Sequence, residues 1–65
     1  MSRNNEMEEY SLEYKGETMK GFWFNDGTME ENIFLPESII NVLERNNDVW
    51  LVEVPNWLAE QKGLI

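Results

Sequence analysis

Tyr10-Ser11-Leu12-Glu13-Tyr14-Lys15 alternates apolar and polar positions, and a period of two marks a strand with one buried face. A helix competes over the same segment. Asn5 with Glu8 could form a capping box, Met7, Tyr10 and Tyr14 would share a face, and Gly16 could end it. The strict alternation and the aromatic residues favour the strand. A second strand is expected over Met19–Phe24, with Gly21 at a bulge or a close backbone approach. Asn25-Asp26-Gly27 is a strong turn signal, because Asn and Gly accept positive φ at little cost. A third strand over Asn32–Leu35 should stop at Pro36, which has no N–H for a ladder. Pro36-Glu37-Ser38 then forms a tight turn, with the Ser38 hydroxyl bonding a local backbone N–H.

Ile39–Glu44 supports two readings. Pro36 could open a helix with Ile39, Ile40 and Leu43 on one face; the β-branched Ile39, Ile40 and Val42 favour a strand instead. Arg45-Asn46-Asn47-Asp48 resembles a hairpin connection into Val49–Val54, the clearest strand in the chain. At the end, Pro55 suits the first helical position and Gly63 suits a left-handed cap, with Leu64 folding back on the last turn. Helix Pro55–Lys62 is too short to persist alone, so Trp57 and Leu58 should dock it on the sheet.

Size and composition narrow the function. Sixty-five residues, 42% of them apolar, form one small domain, with residues 1–9 as an acidic, fraying N-terminus and 10–65 as the folded unit. With no Cys and no His, a Cys/His zinc site, a thiolate nucleophile and an imidazole base are excluded. No cofactor is implied. Neither an EF-hand pattern nor an Asp cluster provides a metal site, and an enzyme is not expected. Thirteen acids against five cations leave a net charge of −8, which repels nucleic-acid phosphates and anionic membrane. No apolar run is long enough for a membrane span, so a cytoplasmic protein is the expectation.

The second half resembles a recurrent type of small phage and prophage protein. The matching residues are Asp26-Gly27, Phe34-Leu35-Pro36-Glu37-Ser38 and the terminal Val54-Pro55-Asn56-Trp57-Leu58-Ala59-Glu60-Gln61-Lys62-Gly63-Leu64. Glu37, Asn56 and Gln61 stand where the pattern has Lys, Glu and Lys, which removes two cations. The resemblance implies a small, strongly bent sheet of SH3-like or OB-like character with a terminal helix, and it tips Ile39–Glu44 toward strand. It implies no activity.

The expected fold is therefore mostly β with one C-terminal α-helix: four to five antiparallel strands in a bent sheet or partial barrel. The expected function is non-enzymatic protein binding, in a phage or mobile-element setting. The partner would present a basic surface, such as that of a host nucleic-acid enzyme or defence complex. Glu8, Glu9, Glu13, Glu17, Glu30 and Glu31 would supply the attracting field. Trp23 and Phe34 would supply the desolvated anchor that sets residence time. Phe22 and Phe24 share one side of their strand and Trp23 takes the other, which makes Trp23 the ring expected outside the core. Two alternatives remain: an accessory of phage DNA metabolism touching single strands through its aromatic rings, and a self-assembling module pairing through sheet edges.

Overall fold

The computed structural model describes residues 6–65 and measures 37 × 22 × 20 Å. Residues 1–5, and with them the Asn5 half of the alternative helix cap, lie outside the described residues. Among the described residues five antiparallel strands form one open sheet in the order β3-β2-β1-β5-β4, followed by one helix. They are β1 (Met7–Glu17), β2 (Gly21–Asn25), β3 (Ile33–Pro36), β4 (Asn41–Asn46), β5 (Val49–Pro55) and α1 (Asn56–Lys62). The fold class read from the sequence is the one observed.

The alternation in Tyr10–Lys15 belongs to a longer strand. β1 is central and pairs with β5 from Met7↔Pro55 to Glu13↔Val49, so Met7–Glu9 of the acidic N-terminal segment are ladder residues. Its far end pairs with β2, and the register shifts between Tyr14 and Gly16. Gly16 has φ 149° and marks the bulge. Gly21 is the close approach. A Cβ there would meet the Leu35 carbonyl oxygen, with the Phe34 Cζ and Pro36 Cα both at 2.8 Å. Only glycine lets β3 lie this near β2. β3 also runs through Pro36, which was expected to stop it; on an edge strand its missing N–H costs no ladder bond.

Ile39–Glu44 resolves as a turn running into a strand. Residues 37–39 form the turn. It is closed by the Ile39 N–H donating to the Pro36 carbonyl at 3.1 Å, a backbone bond that fills the role expected of the Ser38 hydroxyl. β4 then pairs with β5 across the two-residue turn Asn47-Asp48, where Asn47 takes φ 53°, a conformation that Asn tolerates better than other non-glycine residues.

The inner face of the sheet carries Leu12, Phe22, Phe24, Leu35, Trp50, Val52 and Val54, all buried. The sheet curls strongly around them. β2 and β4 are three strand spacings apart, about 14 Å along a flat sheet. Yet the Arg45 guanidinium of β4 lies 5.8 Å from the Phe22 ring of β2, and the Trp50 and Phe22 rings meet at 5.3 Å across β1. Ile40, Leu58 and Ala59 complete the core, with Leu64 packed against it.

α1 ends as its sequence predicts. Gly63 has φ 82°; its N–H bonds the Glu60 carbonyl and the Leu64 N–H bonds the Ala59 carbonyl, the two bonds of a Schellman cap. Two expectations about the helix need correction. Pro55 is the N-cap, with ψ 145°, because it is still paired with Met7 at the end of β5; the helix begins one residue later. Trp57 does not dock the helix. It is 36% exposed, while Leu58 and Ala59 are buried, because seven helical residues present only two adjacent positions to the curved sheet.

Candidate protein-contact surface

Strand alternation sorts the candidate residues onto two faces. On β1, Glu9, Ser11 and Glu13 oppose Glu53, Leu51 and Val49 of β5, with parity opposite to Leu12, Trp50 and Val52; these form the outer face. Across the bulge Trp23 takes that same parity and opposes Phe34 of β3. Their rings meet at 5.2 Å, inclined 60°. Trp23 is 39% exposed, and the side of its partner Gly16 where a Cβ would stand is open space. Trp23 and Phe34 thus form an accessible aromatic pair on the outer face, where alternation places Trp23.

The acids divide. Glu9 and Glu13 share the outer face with the aromatic pair, and Glu53 of β5 stands directly opposite Glu9. Like charges facing each other across strands are destabilising. Among the described residues no cation bridges Glu9 and Glu53; Asn41 Nδ2 donates to Glu53 Oε1 at 3.1 Å. Glu44 pairs with Leu51 and has the same parity. Glu13 is partly neutralised by Lys15 at 3.1 Å. Glu8 and Glu17 have the other parity. Glu8 is exposed opposite Val54 and Glu17 lies opposite Phe22, accepting the Tyr14 hydroxyl at 2.8 Å. That bond, then burial, raises the Tyr14 pKa above its usual value. Burial, then the nearby Glu8 charge, raises Tyr10.

Glu30 and Glu31 are exposed in the loop between β2 and β3, which is organised by a residue the sequence reading treated only as a turn former. Asn25 is buried to 8% exposure. Its Nδ2 donates to the Met29 carbonyl and to Asn32 Oδ1, each at 3.1 Å, and its Oδ1 accepts from the Gly27 and Met29 N–H groups. Asp26 Oδ1 accepts from the Thr28 N–H at 2.8 Å and hydroxyl at 2.7 Å, and those bonds lower its pKa. Glu13 Oε2 lies 3.7 Å from where a Gly27 Cβ would stand. The loop therefore closes on the Glu13 side of the sheet.

Sequence reading missed three features. Glu53 and Glu44 join the outer acids; the signal was the alternation Val52-Glu53-Val54. Arg45 lies 4.5 Å above the Trp50 ring, and Tyr14 stacks on Trp50 at 4.3 Å with 10° between planes. Arg45 and Asn46 were expected in the hairpin connection, but the turn is only Asn47-Asp48, so both belong to β4 and Arg45 stands opposite Trp50. Asn25 was legible as a side-chain turn former but not as a buried one.

Among the described residues no group of three or more Asp or Glu side chains could hold a metal ion, and no helix is long and apolar enough to cross a membrane. Shallow surface depressions occur among the described residues, two of them near the candidate residues. One is lined by Glu13, Tyr14, Lys15, Asp48 and Val49, the other by Met19, Lys20, Phe34, Pro36, Glu37 and Ser38. The first brings Glu13 and Asp48 together, but it is open to solvent and Lys15 lies 3.1 Å from the Glu13 carboxylate; in the second Glu37 is the one carboxylate. Comparison with protein-family models, curated proteins and solved structures finds no match for this chain.

Proposed function

We propose that this chain is an acidic protein-binding module that works without catalysis and docks its outer face on a basic surface. The observation that carries this reading is the pairing of two features on one face: the Trp23–Phe34 ring pair, with Trp23 exposed and Phe34 half-buried, and the directly opposed Glu9 and Glu53. The rings offer apolar area that gains by desolvation. The opposed carboxylates offer a field that steers a cationic partner and is relieved by it. Glu13 and Glu44 extend that field, while the loop acids Glu30 and Glu31 flank it. Glu8 and Glu17, on the other parity, contribute only at long range.

The resemblance to small phage proteins suggests the setting, in which the partner is a host nucleic-acid enzyme or defence complex. Direct stacking on single-stranded nucleic acid is disfavoured, because the rings share their face with carboxylates that repel phosphates. The test is retention of a basic nucleic-acid-handling protein by the tagged chain at low salt. Trp23→Ala should chiefly accelerate dissociation, and Glu9→Lys combined with Glu53→Lys should abolish retention. Retention that is unaffected by the double charge reversal refutes the reading.

A further inference from the structure

We infer that the free edge of β3 receives an extended segment of the partner, flanked by lysine or arginine, as a sixth strand. This rests on the proposed outer-face binding and specifies the partner's conformation.

The hydrogen-bonding direction along β3 follows from two turns. The Thr18 N–H bonds the Gly21 carbonyl, and the Glu37 N–H bonds the Lys20 carbonyl at 2.9 Å. Backbone groups of successive strand residues point to alternate sides. Gly21 and Trp23 therefore address β1, while Lys20, Phe22 and Phe24 address β3. In the observed register Phe22 opposes Leu35 and Phe24 opposes Ile33, so Ile33, Leu35 and Glu37 complete the inner ladder. Phe34 and Pro36 point their backbone groups away from the sheet. Pro36 has no N–H to leave unpaired, which is why an edge strand accommodates it at this position. Phe34 leaves both an N–H and a C=O for an incoming strand.

The surroundings select that strand. Phe34 is also the half-buried member of the Trp23–Phe34 pair, so a residue added opposite it gains two backbone bonds and a ring contact together. Glu30 and Glu31 precede β3 and Glu37 follows it, all exposed. Carboxylates therefore stand at both ends of an added strand, most strongly at the Glu30–Glu31 end because Lys20 lines the depression beside Glu37, and flanking cations are complementary. Met19, 95% exposed, and Pro36 line the depression beside Phe34 and offer further apolar contact. A second copy of this chain is the poorer occupant, since it would bring the same acids against themselves on a net charge of −8. The opposite edge is less suited. β4 is broken by a register shift between Val42 and Glu44, and bulges of this kind blunt an edge.

The probe is a short peptide with lysines at both ends and alternating valine and threonine between them, added to the intact chain at low salt. Amide hydrogen exchange is read residue by residue. The Phe34 amide should slow by about tenfold at saturation, while the inner-ladder Leu35 amide changes little. Methylating alternate backbone nitrogens of the peptide should abolish the effect. Binding without added protection at Phe34 overturns the edge proposal but leaves outer-face docking standing. No binding of the peptide overturns the edge proposal too, while retention of a basic folded protein tests the function separately. Protection at Phe34 in the chain alone, together with dimers in sedimentation, overturns it in favour of a second copy.

Discussion

Glu9→Gln should make the protein more stable, and the gain should vanish in salt. Glu9 and Glu53 are directly opposed in the β1–β5 register, and both side chains have the outer parity. Directly opposed residues stand about 5 Å apart at Cβ, and splayed carboxylates reach about 7 Å. At that distance two unit charges in water repel by about 0.6 kcal/mol. At about 0.01 M salt, with a screening length of about 30 Å, roughly 0.5 kcal/mol survives; at about 1 M, with a length of about 3 Å, less than 0.1 kcal/mol does. A small domain loses about 1 kcal/mol of stability per molar urea, so the unfolding midpoint should rise by about 0.5 M at low salt. Glu60→Gln is the control, since it removes one charge from an exposed helical position outside the sheet. The cycle with Glu53→Gln isolates the pair, because the second substitution should add none of the repulsion already removed. If Glu9→Gln gains no more than Glu60→Gln, or gains equally at both salt concentrations, the outer carboxylates do not repel as the register implies. A stabilised variant that binds the proposed basic partner more weakly would mark Glu9 as a residue whose value lies in function.

Other consequences follow from the core, the cap and the loop. Phe24→Ala removes a completely buried ring and should cost about 3–5 kcal/mol, a large share of the roughly 3–10 kcal/mol available to a chain of this size; thermal scans should show a lost or strongly lowered transition. Gly63→Ala meets no atom within 4 Å but must adopt φ 82°, so it should cost only about 1 kcal/mol, seen as a modest shift of the urea midpoint. The Asp26 carboxylate is held below its ordinary value of 3.8, first by its bond from the Thr28 hydroxyl. Its depressed pKa adds stability above that ordinary value, and the contribution fades as pH falls through the lower folded-state value. The Thr28 amide resonance should report that loss at acid pH, and Asp26→Asn should remove the dependence. Replacing Arg45 with Ala should cost about 0.5–1 kcal/mol through the lost contact with the Trp50 ring, measured by urea unfolding.

Local signals carried far, and their limits are physical. Period-two alternation placed β1, the Phe22-Trp23-Phe24 row separated core from exposed rings, and Gly63 with Leu64 specified the helix end. Each depends on the conformational preference of a few neighbouring residues. Ile39–Glu44 stayed ambiguous because β-branched residues after a proline satisfy either a helix face or a strand. Pairing with Val49–Pro55 decided it. Trp57 misled for a related reason: helical periodicity offers an apolar side chain to the core, but the curvature of the sheet chooses which positions reach it.

The grouping of residues into a surface was a tertiary outcome. Composition and order determined a small, acidic, cysteine-free β chain with a capped helix, and pointed to Trp23 as the exposed ring. Only the strand order β3-β2-β1-β5-β4 put Glu53 opposite Glu9, Phe34 beside Trp23, and β3 at the edge of the sheet. Local propensity extends over a few residues, whereas register joins segments more than forty residues apart and is settled by burying one continuous inner face.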